Sequence, residues 1–169
     1  MAIVDTERFG LRELVHADDA FIMELVNDPD WLRYIGDRNV RSLEDARGYI
    51  DRVRTGYEKH GFGLWTIERR TDREALGLCG LLKRDHLEHP DVGFALLASA
   101  RGQGVAREAL QATLRVAHER FGLTRVLAIT DLDNTASRGL LEAVGFVLQG
   151  TAPEPETGVE LTRYGRDLP

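Results

Sequence analysis

The chain has 169 residues, a length suited to one domain with a sizeable buried core. Hydrophobic residues make up 43% and charged residues 30%, a globular composition that excludes a disordered, collagen-like or coiled-coil chain. The net charge of −6, from 22 Lys and Arg against 28 Asp and Glu, argues against sequence-independent nucleic-acid binding and is compatible with a cationic partner such as an amine.

Phe9 and Leu11, with Leu14 beyond them, read as an opening strand. Asp18 to Val26 reads as a helix, because Phe21 and Leu25, and Ile22 and Val26, share a face; Asn27-Asp28-Pro29 ends it. Ser42 opens a second helix, with Asp45 three residues on in a capping-box-like arrangement and Ala46, Ile50, Val53 and Tyr57 forming the core stripe. Leu64–Glu68 and Ala75–Leu82 are strands joined by the polar turn Arg69 to Glu74, and Asp91–Leu97 is a third. A Gly-rich turn leads to a helix from about Ala106 to Phe121. Arg125–Thr130 is a strand, Thr135–Val144 a short helix, and Phe146–Gln149 and Gly158–Tyr164 are the final strands. The pattern predicts mixed α/β architecture, a single domain over residues 1–169 with helices on both faces of one central sheet.

Cys79 is the only cysteine, so no internal disulfide is expected. Met1 to Leu14 carries Asp5, Glu7 and Arg8 and lacks the apolar core of a signal peptide, and no run approaches the length of a spanning helix. The expected compartment is the cytoplasm, without membrane association.

The run Arg101-Gly102-Gln103-Gly104-Val105-Ala106 lies between a strand and an amphipathic helix. Its glycines let backbone approach a bulky ligand, and the helix start that follows offers unpaired N–H groups to an anion such as a pyrophosphate. A plain tight turn before a helix explains the run equally well. A dinucleotide fingerprint would need a small residue where Arg107 stands, and a P-loop would need a Gly-Lys-Ser/Thr ending that is absent. About thirty residues on, Asn134 is placed to cap a helix by accepting from the Ser137 N–H, and Gly145 to stop it.

In order and spacing these segments resemble the GNAT superfamily of N-acetyltransferases, and within it the Rim-type ribosomal-protein N-terminal acetyltransferases. The resemblance covers nearly the whole chain. It rests on Thr6-Glu7-Arg8-Phe9-Gly10-Leu11-Arg12 followed by Asn27-Asp28-Pro29, on Ser42-Leu43-Glu44-Asp45-Ala46, and on Asp91-Val92-Gly93-Phe94-Ala95-Leu96. Arg101-x-x-Gly104-x-Ala106 and Asn134-x-x-Ser137, ending in Gly145-Phe146, complete it.

The resemblance implies a mostly antiparallel sheet in which the strand near Leu96 and Leu97 splays from the strand near Ile129 and Thr130. It implies acetyl-CoA as co-substrate and no metal. The pantetheine arm would pair with backbone near Leu96, Leu97 and Ala98. Arg101 and Gly102 would belong to the cofactor-binding loop, and N–H groups from Gln103 through Gly104, Val105 and Ala106 to Arg107 would hold the pyrophosphate. Asn134 and Ser137 would contact the cofactor arm, and an amine would attack the thioester directly. Asp91 stands where the family often has a Glu and is the candidate base. Leu141 stands where many members carry a thiolate-protonating Tyr, which leaves Ser137 as candidate acid. The implied acceptor is a protein or peptide α-amine, whose pKa near 8 makes deprotonation easier than that of a lysine near 10.4. A small amine such as an aminoglycoside or polyamine, and a non-catalytic CoA-binding module, are the rivals. Oligomeric state stays open, with a homodimer compatible with the resemblance.

Trp31 and Tyr34 are candidate acceptor-side aromatics, whereas Trp65 reads as core. Cys79, in the apolar run Leu76 to Leu82, reads as a buried structural thiol. His86, Glu88 and His89 read as a surface loop. Glu154, Glu156 and Glu160 form an acidic patch that either attracts a cationic acceptor or is a solvated loop.

Overall fold

The computed structural model describes residues 1–169. Eight strands form one sheet: β1 (Ala2–Asp5), β2 (Phe9–Arg12), β3 (Leu64–Arg69), β4 (Ala75–Leu82), β5 (Asp91–Leu96), β6 (Arg125–Asp131), β7 (Val147–Pro153) and β8 (Glu160–Asp167), in the spatial order β1-β2-β3-β4-β5-β6-β8-β7. Every neighbouring pair is antiparallel except β5–β6. The helices are α1 (Asp19–Val26), α2 (Pro29–Tyr34), α3 (Leu43–His60), α4 (Val105–Glu119) and α5 (Thr135–Ala143). This is the mixed, mostly antiparallel sheet expected, with helices on both faces.

Two apolar clusters mark those faces. Ile22, Leu25, Trp31, Ala46 and Ile50 of α1–α3 pack on Leu78 and Leu97, while Ala109, Leu110 and Ala117 of α4 and Leu141 of α5 pack on Cys79, Leu81 and Val92. The period-two alternation of β4 and β5 supplies both faces from the same strands. In register, Leu82 lies opposite Asp91, Gly80 opposite Gly93 and Leu78 opposite Ala95, which puts Asp91 on the α1–α3 side. Gly80 is required there by close approach, because a Cβ would stand 2.0 Å from the Gly63 carbonyl oxygen.

Two elements depart from expectation. β1 was not foreseen; it is a four-residue edge strand with no fully buried side chain. The sequence Asn27-Asp28-Pro29 does end α1, but it also starts α2. Asp28 accepts the Asp30 N–H at 3.0 Å, and Pro29 occupies a first-turn position where its missing N–H costs nothing. The expected cap of α3 is present, with Ser42 Oγ accepting the Asp45 N–H at 3.0 Å; the Asp45 carboxylate, however, accepts from Arg41 instead of closing a full box. Trp65 is fully buried beside Phe121, and burial pushes the Cys79 thiol up to about 12, so both are core residues as read from sequence. No helix is long and apolar enough to cross a membrane.

Candidate active site

β5 and β6 begin side by side and then part. Asp91 pairs with Leu127 and Val92 with Ala128, and no pair follows. β5 is held by six pairs to β4, and β6 by seven to β8, so each follows its antiparallel neighbour and the sheet opens into a V. The Leu97 N–H donates to the Leu76 carbonyl at 2.9 Å. Antiparallel alternation then turns the N–H groups of Phe94 and Leu96 away from β4, into the V. The free edge was expected at Leu96, Leu97 and Ala98. The Leu97 carbonyl accepts the Ala100 N–H at 2.9 Å, so the unpaired N–H groups of this edge are those of Phe94, which was not among the expected residues, and Leu96.

Across the mouth of the V lies the Gly-rich loop. Gly102 and Gly104 both hold φ of +76°, which favours glycine, and Gly104 caps α4 without a side-chain acceptor. None of the six amides from Gly102 to Arg107 has an acceptor in the protein. The loop is braced from behind. Arg8 donates from Nη1 to the Gln103 carbonyl at 2.9 Å and pairs with Glu108 at 2.8 Å, and Glu108 also accepts from Thr6. A preformed cluster of unpaired donors at the start of a fifteen-residue helix is the chemistry of an anion site.

Arg101 does not point its guanidinium at that cluster. It donates to Asp28 at 2.6 Å and to the Leu96 carbonyl at 3.1 Å, and it pairs with Asp30 at 3.1 Å. Burial opposes ionisation of Asp28 more strongly than any single partner favours it, but the Arg101 hydrogen bond and charge together with the Asp30 and Trp31 N–H groups hold the carboxyl below the usual range. The side chain thus ties the loop to the start of α2.

A cavity of about 490 Å³ fills the V and continues under α2 and α3. Of the residues singled out in the sequence, Asp91, Leu96, Arg101, Gly102, Ala106, Asn134, Ser137, Trp31 and Tyr34 line it; Leu97, Ala98, Gln103, Gly104, Val105 and Arg107 do not. Val105 is core, whereas Gln103, Gly104 and Arg107 are exposed around the helix start. Asn134 Oδ1 accepts the Ser137 N–H at 3.2 Å, as its cap position implied, and the Ser137 hydroxyl has no partner. Leu141 is buried and forms part of the wall. Glu154, Glu156 and Glu160 lie on the β7–β8 hairpin, outside the cavity.

Asp91 closes the apex, only 1% exposed. Burial raises its carboxyl to about 6, against the opposing pull of Arg84, whose Nε lies 3.1 and 3.2 Å from the two carboxylate oxygens. Arg84, Phe94, Tyr49 and Arg38 were not read from sequence as site residues, yet all four line the cavity. Phe94 stands inside the quoted strand motif, and Tyr49 lies one position before Ile50 of the α3 core stripe. Arg84 and Arg38, in loops, carry no local signal.

The family model described as acetyltransferase (GNAT) domain matches residues 8–147 of this chain. The uncharacterized N-acetyltransferase YoaA of Bacillus subtilis is 29% identical over 150 residues, spanning 88% of this chain and 84% of the relative. Among solved structures, the Salmonella typhimurium acetyltransferase described as modifying the N-terminal serine of ribosomal protein L7/L12 superposes with a TM-score of 0.81 at 18% identity, covering 100% of both chains. The ribosomal L7/L12 alpha-N-protein acetyltransferase RimL in complex with coenzyme A gives a TM-score of 0.74 at 19% identity, covering 99% of this chain and 98% of that one. At these identities the structural likeness shows a shared fold.

Proposed function

This chain belongs to the acetyltransferase (GNAT) family, whose members use acetyl-CoA, and from that premise we propose that residues 1–169 form one cytoplasmic N-acetyltransferase domain of Rim type acting on a protein or peptide N-terminal α-amine. The observation that carries the reading is the V itself. An unpaired strand edge and six unpaired amides flank a cavity with a buried carboxylate at its apex.

The residues fit the co-substrate. Amides of Gly102 to Arg107 would hold the pyrophosphate, and the free edge at Phe94 and Leu96 would pair with the pantetheine arm. Asn134 and Ser137 would meet it from α5. Acetyl-CoA supplies the acetyl group as a thioester. An amide of the β5 edge, freed by the splay, donates a hydrogen bond toward the carbonyl oxygen there, in the manner of an oxyanion donor. Asp91, ionised above about pH 6, takes the proton of the attacking amine, through a water where the span requires one. The Ser137 hydroxyl gives a proton to the departing sulfur, since Leu141 has none to give. Trp31 and Tyr34 wall the acceptor side, and Ile35, 41% exposed, offers an apolar rim over which a peptide can leave.

The α-amine reading is supported by the likeness to an enzyme described as modifying an N-terminal serine. The test is thiol release from acetyl-CoA with peptides bearing a free or a blocked N-terminus, with mass analysis of the product. Acetylation confined to the free α-amine is expected. Equal acetylation of an N-terminally blocked, lysine-containing peptide overturns it.

A further inference from the structure

The charges that line the cavity are almost entirely spent on one another. Arg84 is paired with Asp91, and Arg101 with Asp30 and with Asp28 behind it. That leaves no carboxylate free to receive an acceptor's second positive charge. The remaining ionised group of the wall is Arg38, which has no carboxylate within ion-pair distance. Beside it stands Tyr49 of α3. Its ring is held edge-on to Trp31 at 6.4 Å, and the residue is 7% exposed. The Tyr49 hydroxyl has no hydrogen-bond partner in the protein, although those of the other buried tyrosines, Tyr57 and Tyr164, are bonded. Trp31 Nε1 also lacks an acceptor but is covered by neighbouring atoms, whereas the Tyr49 hydroxyl is not. The Tyr49 hydroxyl is therefore a donor open to the cavity, committed to no group of the protein and free to meet an acceptor atom brought from outside.

We infer that the acceptor is an α-amino carbonyl compound, an amine with a carbonyl or carboxylate oxygen on the adjacent carbon, whose oxygen is received by the Tyr49 hydroxyl beside Arg38. The inference rests on the acceptor reading proposed above and adds to it the groups that recognise the carbonyl oxygen beside the amine. Polycationic amines of the polyamine and aminoglycoside kind fit poorly, because their extra charges meet an apolar wall and an unpaired guanidinium in place of acidic partners. A peptide N-terminus and a free amino acid share the chemistry, and Arg38 distinguishes them: a free carboxylate engages the guanidinium as an ion pair, and an amide carbonyl does not.

The experiment measures KM and kcat for alaninamide, a trialanine amide, free alanine, sec-butylamine, spermidine and kanamycin with the unaltered protein, Tyr49→Phe and Arg38→Gln. Each variant is compared with the unaltered protein on the same amine, so differences in amine basicity cancel. Tyr49→Phe is expected to raise KM for alaninamide and the peptide by about 3- to 10-fold, the loss of one hydrogen bond. It should leave sec-butylamine and the dissociation constant of CoA unchanged, the latter showing that the fold is intact. Arg38→Gln raises KM for alanine alone if the free amino acid is the substrate, and leaves the peptide best if it is not. Equal effects of Tyr49→Phe on alaninamide and sec-butylamine, or a kcat/KM for spermidine or kanamycin above that for every α-amino carbonyl compound, overturn the inference while leaving the acetyltransferase intact. Failure of every amine to release thiol, with CoA still bound, overturns the acceptor reading beneath it and the inference with it.

Discussion

Arg84 Nε contacts both carboxylate oxygens of Asp91, at 3.1 and 3.2 Å, across the point where β5 and β6 still pair. One partner is 46% exposed at its side chain and the other 2%, so the pair is anchored in water at one end and in the protein core at the other. Burial pulls the Asp91 carboxyl up and the guanidinium pulls it down, with burial prevailing at about 6. That balance makes a carboxylate that is ionised near neutrality yet still takes a proton.

Asp91→Asn is expected to lower kcat by about 10²-fold, the lower end of what a positioned base contributes. The acidic limb of the kcat profile, near pH 6, should vanish with it. Arg84→Ala should instead move that limb upward by about one pH unit, because removal of the cation takes away the main opposition to burial. A profile unmoved by either change would remove Asp91 from the chemistry.

The same group predicts a stability effect of opposite sign. The folded protein holds the Asp91 proton more tightly than the unfolded chain does, so between about pH 4 and 6 the native state binds more protons and stability falls as pH rises. Below that window the group contributes no penalty; above it the penalty is complete, at most about 3 kcal/mol. Asp91→Asn should therefore raise the denaturation midpoint at pH 7.5 by an amount equivalent to about 1–3 kcal/mol and leave it unchanged near pH 4. Urea denaturation at the two pH values measures both.

Gly102 and Gly104 share a φ of +76° but not their surroundings. A Cβ at Gly102 meets open space, whereas at Gly104 it comes 3.2 Å from Arg8 Nη2. Gly102→Ala should cost about 1 kcal/mol of stability from backbone conformation alone. Gly104→Ala carries that cost and also crowds the arginine that braces the loop, so CoA affinity should fall at least several-fold more than for Gly102→Ala. Isothermal titration with CoA decides it, and equal losses would mean that bracing by Arg8 does not contribute to CoA binding.

Ser137→Ala separates two roles. A pure cofactor contact predicts a rise in the KM for acetyl-CoA with kcat retained. A proton donor predicts a fall in kcat that shrinks when the leaving thiol is made more acidic. Since the backbone N–H of residue 137 still reaches Asn134, the helix cap survives the substitution and fold stability should change by less than about 0.5 kcal/mol.

Arg101 spans the two halves of the site, and Arg101→Gln should register mainly on the acceptor. Loss of its contacts with Asp28 and Asp30 frees the start of α2, where Trp31 and Tyr34 stand. The expected outcome is a rise of about 5- to 10-fold in acceptor KM, with the CoA dissociation constant within twofold, since charged hydrogen bonds contribute about 1.5–3 kcal/mol and part of that is screened here. A larger effect on CoA would assign Arg101 to the phosphates.

The sequence determined what local physics encodes: seven of the eight strands, the helices with apolar stripes, the Asn134 cap, the Gly145 stop and the Gly-rich turn that leads into a helix start with unpaired N–H groups. Those follow from periodicity, capping and backbone sterics over a few residues. It could not show that Asn27-Asp28-Pro29 starts one helix while ending another, because the stop signal and the start signal are the same residues. Nor could it show that β5 keeps only two pairs with β6, or that Arg84 finds Asp91, Arg101 finds Asp28, and Tyr49 keeps a free hydroxyl beside Arg38. Only the tertiary structure decided these. Register between strands distant in sequence, and the burial that sets a carboxylate's affinity for its proton, arise when separate elements compete for the same partners.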